Sequence, residues 1–167
     1  TVINAGQQAI TPVTGSLFPN IVRTKNYRLM LKVAFWGEAI LISGSVVVGI
    51  FAEPLCAFVF GSEYAGMATM LRIMLPMIPI TLLTYLFGWA GLGSMGKDAV
   101  TNVSVVAGAA FHAVVLGLLY LVGWLDALTI CATTVATQLL ILAIRTIAFL
   151  RGLRSAGTCR DEGEDAR

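Results

Sequence analysis

Apolar and charged positions alternate along this chain on the length scale of a bilayer. Residues 1–22 hold no Asp, Glu, Lys or Arg, 33–52 hold only Glu38, and 73–96, 99–125 and 127–144 hold none. The runs measure 22, 20, 24, 27 and 18 residues, against the roughly 20 that a helix needs to cross a hydrocarbon core. Lipid offers no partner to backbone N–H and C=O groups, so unbroken apolar runs of this length are expected to be helical. A barrel would show short strands of alternating polarity. The pattern predicts five transmembrane helices at about 1–22, 30–52, 68–93, 99–123 and 127–150, together an all-α integral membrane bundle over 1–150.

The connections sharpen this picture. Lys and Arg gather near span ends on the cytoplasmic side. The 23–32 loop carries Arg23, Lys25, Arg28 and Lys32, the 93–98 turn carries Lys97, and the tail carries Arg151, Arg154, Arg160 and Arg167. With five spans all three fall on one side, which places the C-terminus in the cytoplasm. The opposite connections hold Glu53, Glu63 and Asp126, with Arg72 at the outer start of the third span. Segment 53–66 is too polar to span and too apolar for a plain loop; Leu55, Phe58, Val59 and Phe60 suggest a short helix lying at the outer interface. Residues 151–167, ending in the acidic stretch DEGED at 161–165, read as a disordered cytoplasmic tail.

Composition excludes other classes. Only 12% of the 167 residues are charged while 57% are hydrophobic, about half the charge of an average soluble domain. A net charge of +2 is too small for a nucleic-acid footprint. Cys56, Cys131 and Cys159 are isolated, so neither a metal site nor a disulfide framework follows. GLGSMG at 91–96 matches a dinucleotide fingerprint in letters, but it follows an apolar helix where a strand is required, and Asp98 stands where a phosphate loop needs Ser or Thr. It reads as a tightly turning helix end. No cofactor is expected, and no acid/base constellation suggests an enzyme. The chain opens inside an apolar run without a basic segment before it, and reads as a piece of a longer protein.

Polar residues inside the spans are the candidate chemistry, since a charge at membrane depth must face a cavity or a partner. Thr134, Gln138 and Arg145 share one face of the fifth span, where Arg145 either contacts substrate or snorkels to the headgroups. Glu38, with Ser45 seven residues on, pairs with a basic group, couples to a cation or reaches the headgroup region. Arg72 is an interfacial anchor or a ligand. The first span carries a polar stripe of Asn4, Gln7 or Gln8, Thr11 and Thr14, which belongs against water or another helix. His112 is an interhelical hydrogen-bonding residue or a proton-coupling one. Pro12 and Pro19 in the first span and Pro76 and Pro79 in the third allow bends, a feature of transporters. Ser104, Gly108 and Ala109 allow close approach to the fourth helix.

SLFPNIVR at 16–23, FVFGSEY at 58–64 and YLFGWAGLGSMGK at 85–97, in this order and spacing, resemble polysaccharide flippases of the Wzx type, within the multidrug/oligosaccharidyl-lipid/polysaccharide exporter superfamily. The resemblance covers about residues 1–150. It implies the last five helices of a twelve-helix, two-lobe transporter whose N-terminal lobe lies outside this chain. It further implies translocation of undecaprenyl-diphosphate-linked oligosaccharide across the bacterial inner membrane, by alternating access, for lipopolysaccharide O-antigen or related polysaccharide biosynthesis. The expected partners are membrane lipids, the lipid-linked oligosaccharide and the other lobe. Arg145, Gln138, Thr134, Arg72, Gln7 and Thr11 are the substrate-path candidates, and Glu38 and His112 the coupling-ion candidates. His112 departs from the family's usual Asn, and Asp126 from a Gly. Two other readings are a cation-coupled multidrug or metabolite exporter of the same superfamily, and a non-transporting membrane interaction module.

Overall fold

The structure, a computed structural model, describes residue 23, residues 27–61 and residues 67–164, the backbone alone beyond Leu153. In chain order the helices are α1 (Tyr27–Ile50), α2 (Ala52–Phe60), α3 (Ala68–Met74), α4 (Met77–Tyr85), α5 (Asp98–Val122) and α6 (Ala127–Glu164). A π-helical segment, Leu86–Leu92, and a 3₁₀ turn, Gly93–Met95, continue α4. The described residues contain no strand. Among the described residues four stretches are long and apolar enough to cross a membrane: Arg28–Ile50, Ala68–Met95, Asp98–Val122 and Ala127–Leu153. This is the make-up of a multi-pass membrane protein. The expected first span, with Asn4, Gln7 and Thr11, lies outside the described residues, as do residues 62–66 of the expected outer segment.

Sequence sets the boundaries. α1 ends where Phe51 interrupts the helical run, and Pro54 sits in the first turn of α2, where its missing N–H costs nothing. The second stretch breaks at Leu75–Pro76. Pro76 and Pro79 have no N–H to return to Arg72 and Leu75; Leu75 O instead accepts from Ile78 N at 3.1 Å. Its far end turns through Gly96, held at φ 68°, a left-handed conformation that glycine adopts without steric cost. α5 opens on Asp98 at the positive end of its dipole and closes on left-handed Gly123, φ 76°. α6 continues past residue 150, since no proline follows Ala127 to stop it.

The broken stretch is the central one. Met30 and Ala34 of α1, Leu82 of α4, Leu86, Ala90 and Leu92 of the π segment, and Phe149 of α6 form the main buried cluster. Phe149 stacks on Phe87 with centroids 5.3 Å apart. Its ring fills the space over Gly91, where a Cβ would meet it at 2.8 Å. α1 and α5 instead keep apolar side chains outward: Phe35 is 69% exposed, Val106 69% and Leu121 80%. Apolar surface on this scale belongs against lipid or protein.

Candidate functional site

Two polar places stand out, one inside the bundle and one at its edge. Inside, Arg145 of α6 is only 5% exposed. Its Nε donates to Ser104 Oγ on α5 at 2.9 Å, Nη1 to Thr84 O on α4 at 2.9 Å, and Nη2 to Thr101 O at 3.3 Å. Ser104 Oγ in turn donates to Thr101 O at 2.7 Å. Widening of the helix into a π segment disturbs the i→i−4 ladder. Side chains answer carbonyls on both sides of that transition: Arg145 takes Thr84 O, and Thr101 Oγ1 donates to Gly88 O at 3.3 Å. A planar fork of N–H groups suits several fixed acceptors at once. Gly88 makes room for it, because a Cβ there would lie 2.5 Å from Arg145 Nη1.

The same seam continues along α5 and α6. Gly108 lies under Ile141, whose nearest carbon would stand 2.6 Å from a Cβ at that position. His112 Nδ1 and Thr137 Oγ1 are 3.0 Å apart. Thr137 donates its one hydroxyl proton to Thr133 O at 2.8 Å, so the histidine is the donor in this pair. Ser104, Gly108 and His112 thus meet Arg145, Ile141 and Thr137 in an antiparallel register of fours. Thr134 and Gln138, grouped with Arg145 by sequence, contribute nothing to its acceptor set. Thr134 Oγ1 donates to Ile130 O of its own helix at 2.8 Å, and Gln138 is half-buried. Sequence reasoning missed Thr84, Gly88, Thr101 and Thr137. Only the small and hydroxyl residues at spacings of four could have hinted at them.

At the edge, Arg72 of α3 crosses to the α1–α2 junction. Its Nε donates to Gly49 O at 3.0 Å, and Nη1 meets Glu53 Oε1 at 3.1 Å. Beside it lies a cleft of 460 Å³ walled by Ile42, Ser45, Gly49, Leu75, Pro76 and Pro79. Ser45 Oγ is buried there without a hydrogen-bond partner, and so are Glu38 Oε1 two turns away on α1 and Thr84 Oγ1 on α4. Buried polar atoms are ordinarily paired, so the α1–α4 side of the bundle holds unused hydrogen-bonding capacity. Among the described residues no three His, Cys, Asp or Glu side chains come together as a metal site requires. Arg72 and Ser45 are thus the polar side chains on an otherwise apolar cleft wall, Glu38 lies two turns from Ser45 on α1, Arg145 and His112 lie in the helix seams, and Gln7 and Thr11 fall outside the described residues.

Compared as a sequence and as a structure, the chain matches no known protein family, no curated protein and no solved structure.

Proposed function

We propose that this chain is part of a two-lobe transporter that moves undecaprenyl-diphosphate-linked oligosaccharide across the bacterial inner membrane by alternating access. The carrying observation is the broken span Ala68–Met95, kinked at Pro76 and widened at Leu86–Leu92, with a half-exposed arginine and an unpaired hydroxyl facing the cleft at its kink. Discontinuous helices around a polar site are a transporter feature. A diphosphate headgroup cannot enter hydrocarbon unaided, and a guanidinium is suited to receive it. Arg145 supports this reading as the clasp that holds the broken span, with its donors already engaged by protein acceptors.

The test is surface glycan made by cells carrying the full protein, at matched membrane abundance. Arg72→Gln is expected to lower it about tenfold or more, the size of a lost charged hydrogen bond. Glu53→Gln removes the same exposed ion pair from its other end and is expected to leave glycan unchanged. Normal glycan from Arg72→Gln overturns the reading. Glu38 Oε1, buried without a partner, favours one alternative, a cation-coupled exporter. That reading requires efflux of a cationic dye that follows an imposed proton gradient and disappears in Glu38→Gln.

A further inference from the structure

We propose that the Lys97–Arg151 end of the bundle holds an anionic phospholipid, its phosphate between the two cations and an acyl chain along α6. A cavity of 640 Å³ lies there, lined by Gly96, Lys97, Ala99, Val100, Ile144, Ile147, Ala148 and Arg151. Its two cations come from different elements. Lys97 sits in the connection between Gly93–Met95 and α5, and Arg151 lies on α6. Both line this one cavity, and Lys97 reaches across to α6 beside Arg151, its Nζ 3.2 Å from where a Cβ on the neighbouring Gly152 would stand. The wall that runs toward the membrane centre is aliphatic: Ile144, Ile147 and Ala148 of α6 face Ala99 and Val100 of α5.

Depth fits a headgroup. From Ala127 to Arg151 the helix rises about 37 Å, more than the roughly 30 Å hydrocarbon core, so Arg151 stands at headgroup level. Lys97 connects two membrane-length stretches that end at Met95 and begin at Asp98. Cationic pockets between helices at that level, with an apolar wall below, match a phosphate joined to an acyl chain. The nearby carboxylate on α5, Asp98, is exposed and does not line the cavity. A free phosphate would use the two cations and leave the aliphatic wall empty. The occupant is therefore the lipid, and this assignment is independent of what the protein transports.

The experiment is native mass spectrometry of the full chain released from detergent with phosphatidylglycerol or phosphatidylcholine added. Wild type is expected to retain phosphatidylglycerol in preference to phosphatidylcholine. K97Q/R151Q is expected to lose about thirtyfold of that preference, at about fivefold for each basic residue near the headgroup. Ile147, 51% exposed, gives a second variant that keeps both charges: I147W fills the groove and is expected to lose the lipid too. R28Q, at the same end of the bundle but outside the cavity, controls for net charge and is expected to bind as wild type does. Equal retention of the two lipids by wild type overturns the proposal. So does full retention by K97Q/R151Q or I147W, or displacement of the lipid by millimolar inorganic phosphate.

Discussion

Arg145 shows how a charge can be kept inside a membrane bundle without an opposite charge. Its acceptors are a hydroxyl and two main-chain carbonyls, contributed by α4 and α5. The fork ties the α4 carbonyl just before the widened segment to α5, and Gly88 is the residue that lets it reach between them. Replacing Arg145 by Met removes the donors to Thr84 O and Ser104 Oγ and one of two side-chain donors to Thr101 O, which keeps Ser104 Oγ, and is expected to cost about 3 kcal/mol, as for other charged hydrogen bonds. Arg145→Lys recovers less than half, because an ammonium cannot reproduce the fork. Gly88→Ala is expected to cost about 1–3 kcal/mol by overpacking, with Arg145 intact. Unfolding by increasing denaturing detergent checks all three, and a Gly88→Ala protein as stable as wild type refutes the account. Sequence made Arg145 conspicuous, as a cation inside the expected fifth span near its inner end. It could not supply the partners. Thr84 O and Thr101 O are backbone atoms, brought close only by a break in the helix 61 residues earlier in one case and a neighbouring helix in the other.

Elements were legible to the extent that one local cause controls them. Run length separates Arg28–Ile50 from Ala68–Met95, and Asp98–Val122 from Ala127–Leu153, because charge gathers in the connections and near the stretch ends, with Glu38 and Arg145 farther in. Pro76 and Pro79 announce the bend between α3 and α4, and aromatic residues announce α2. The π segment has no such signature: LFGWAGL is as apolar as an ordinary helix, and the extra residue per turn is stabilised by Arg145 and Thr101 from elsewhere in the chain. The start of α6 is local again. Thr129 N donates to Asp126 Oδ1 at 2.7 Å, while Asp126 N donates back to Thr129 Oγ1 at 3.0 Å, a reciprocal cap on the first turn. The bond from Thr129 N holds the Asp126 carboxyl below its ordinary 3.8. A carboxyl with a lowered value stabilises the fold above its unfolded value and loses that contribution as pH falls through the lowered one. Hydrogen exchange at the Thr129 amide is therefore expected to show protection at neutral pH that weakens as pH falls below the ordinary carboxyl range and the Asp126 carboxylate is protonated. Asp126→Asn, which keeps an acceptor but cannot titrate, is expected to show no such decline; parallel curves for the two proteins would exclude this cap.

At the scale of the whole molecule, packing direction and charge make one joint demand. The register of α5 against α6 is antiparallel, with Ser104 at Arg145 and His112 at Thr137. The Ala68–Met95 stretch runs with α6, because Gly88 meets Arg145 and Gly91 meets Phe149. Lys97 and Arg151 are thereby brought to one end. The Gly123–Asp126 turn lies at the other, together with the start of the Ala68–Met95 stretch, where Arg72 contacts Gly49 and Glu53. Positive charge collects on the cytoplasmic side of a membrane protein during insertion, so the end that holds Lys97 and Arg151 is expected to face the cytoplasm. Single cysteines placed at Gly96 and at Leu125, in a protein whose own three cysteines are replaced by alanine, measure it directly. A membrane-impermeant maleimide given access to the outer face of the membrane is expected to label Leu125→Cys and to leave Gly96→Cys untouched until that membrane is permeabilised. Labelling of both from outside would mean that the Asp98–Val122 helix does not cross the membrane. Labelling of Gly96→Cys alone would place Lys97 and Arg151 outside, reverse the sidedness drawn from the charges, and leave Arg72 facing the cytoplasm.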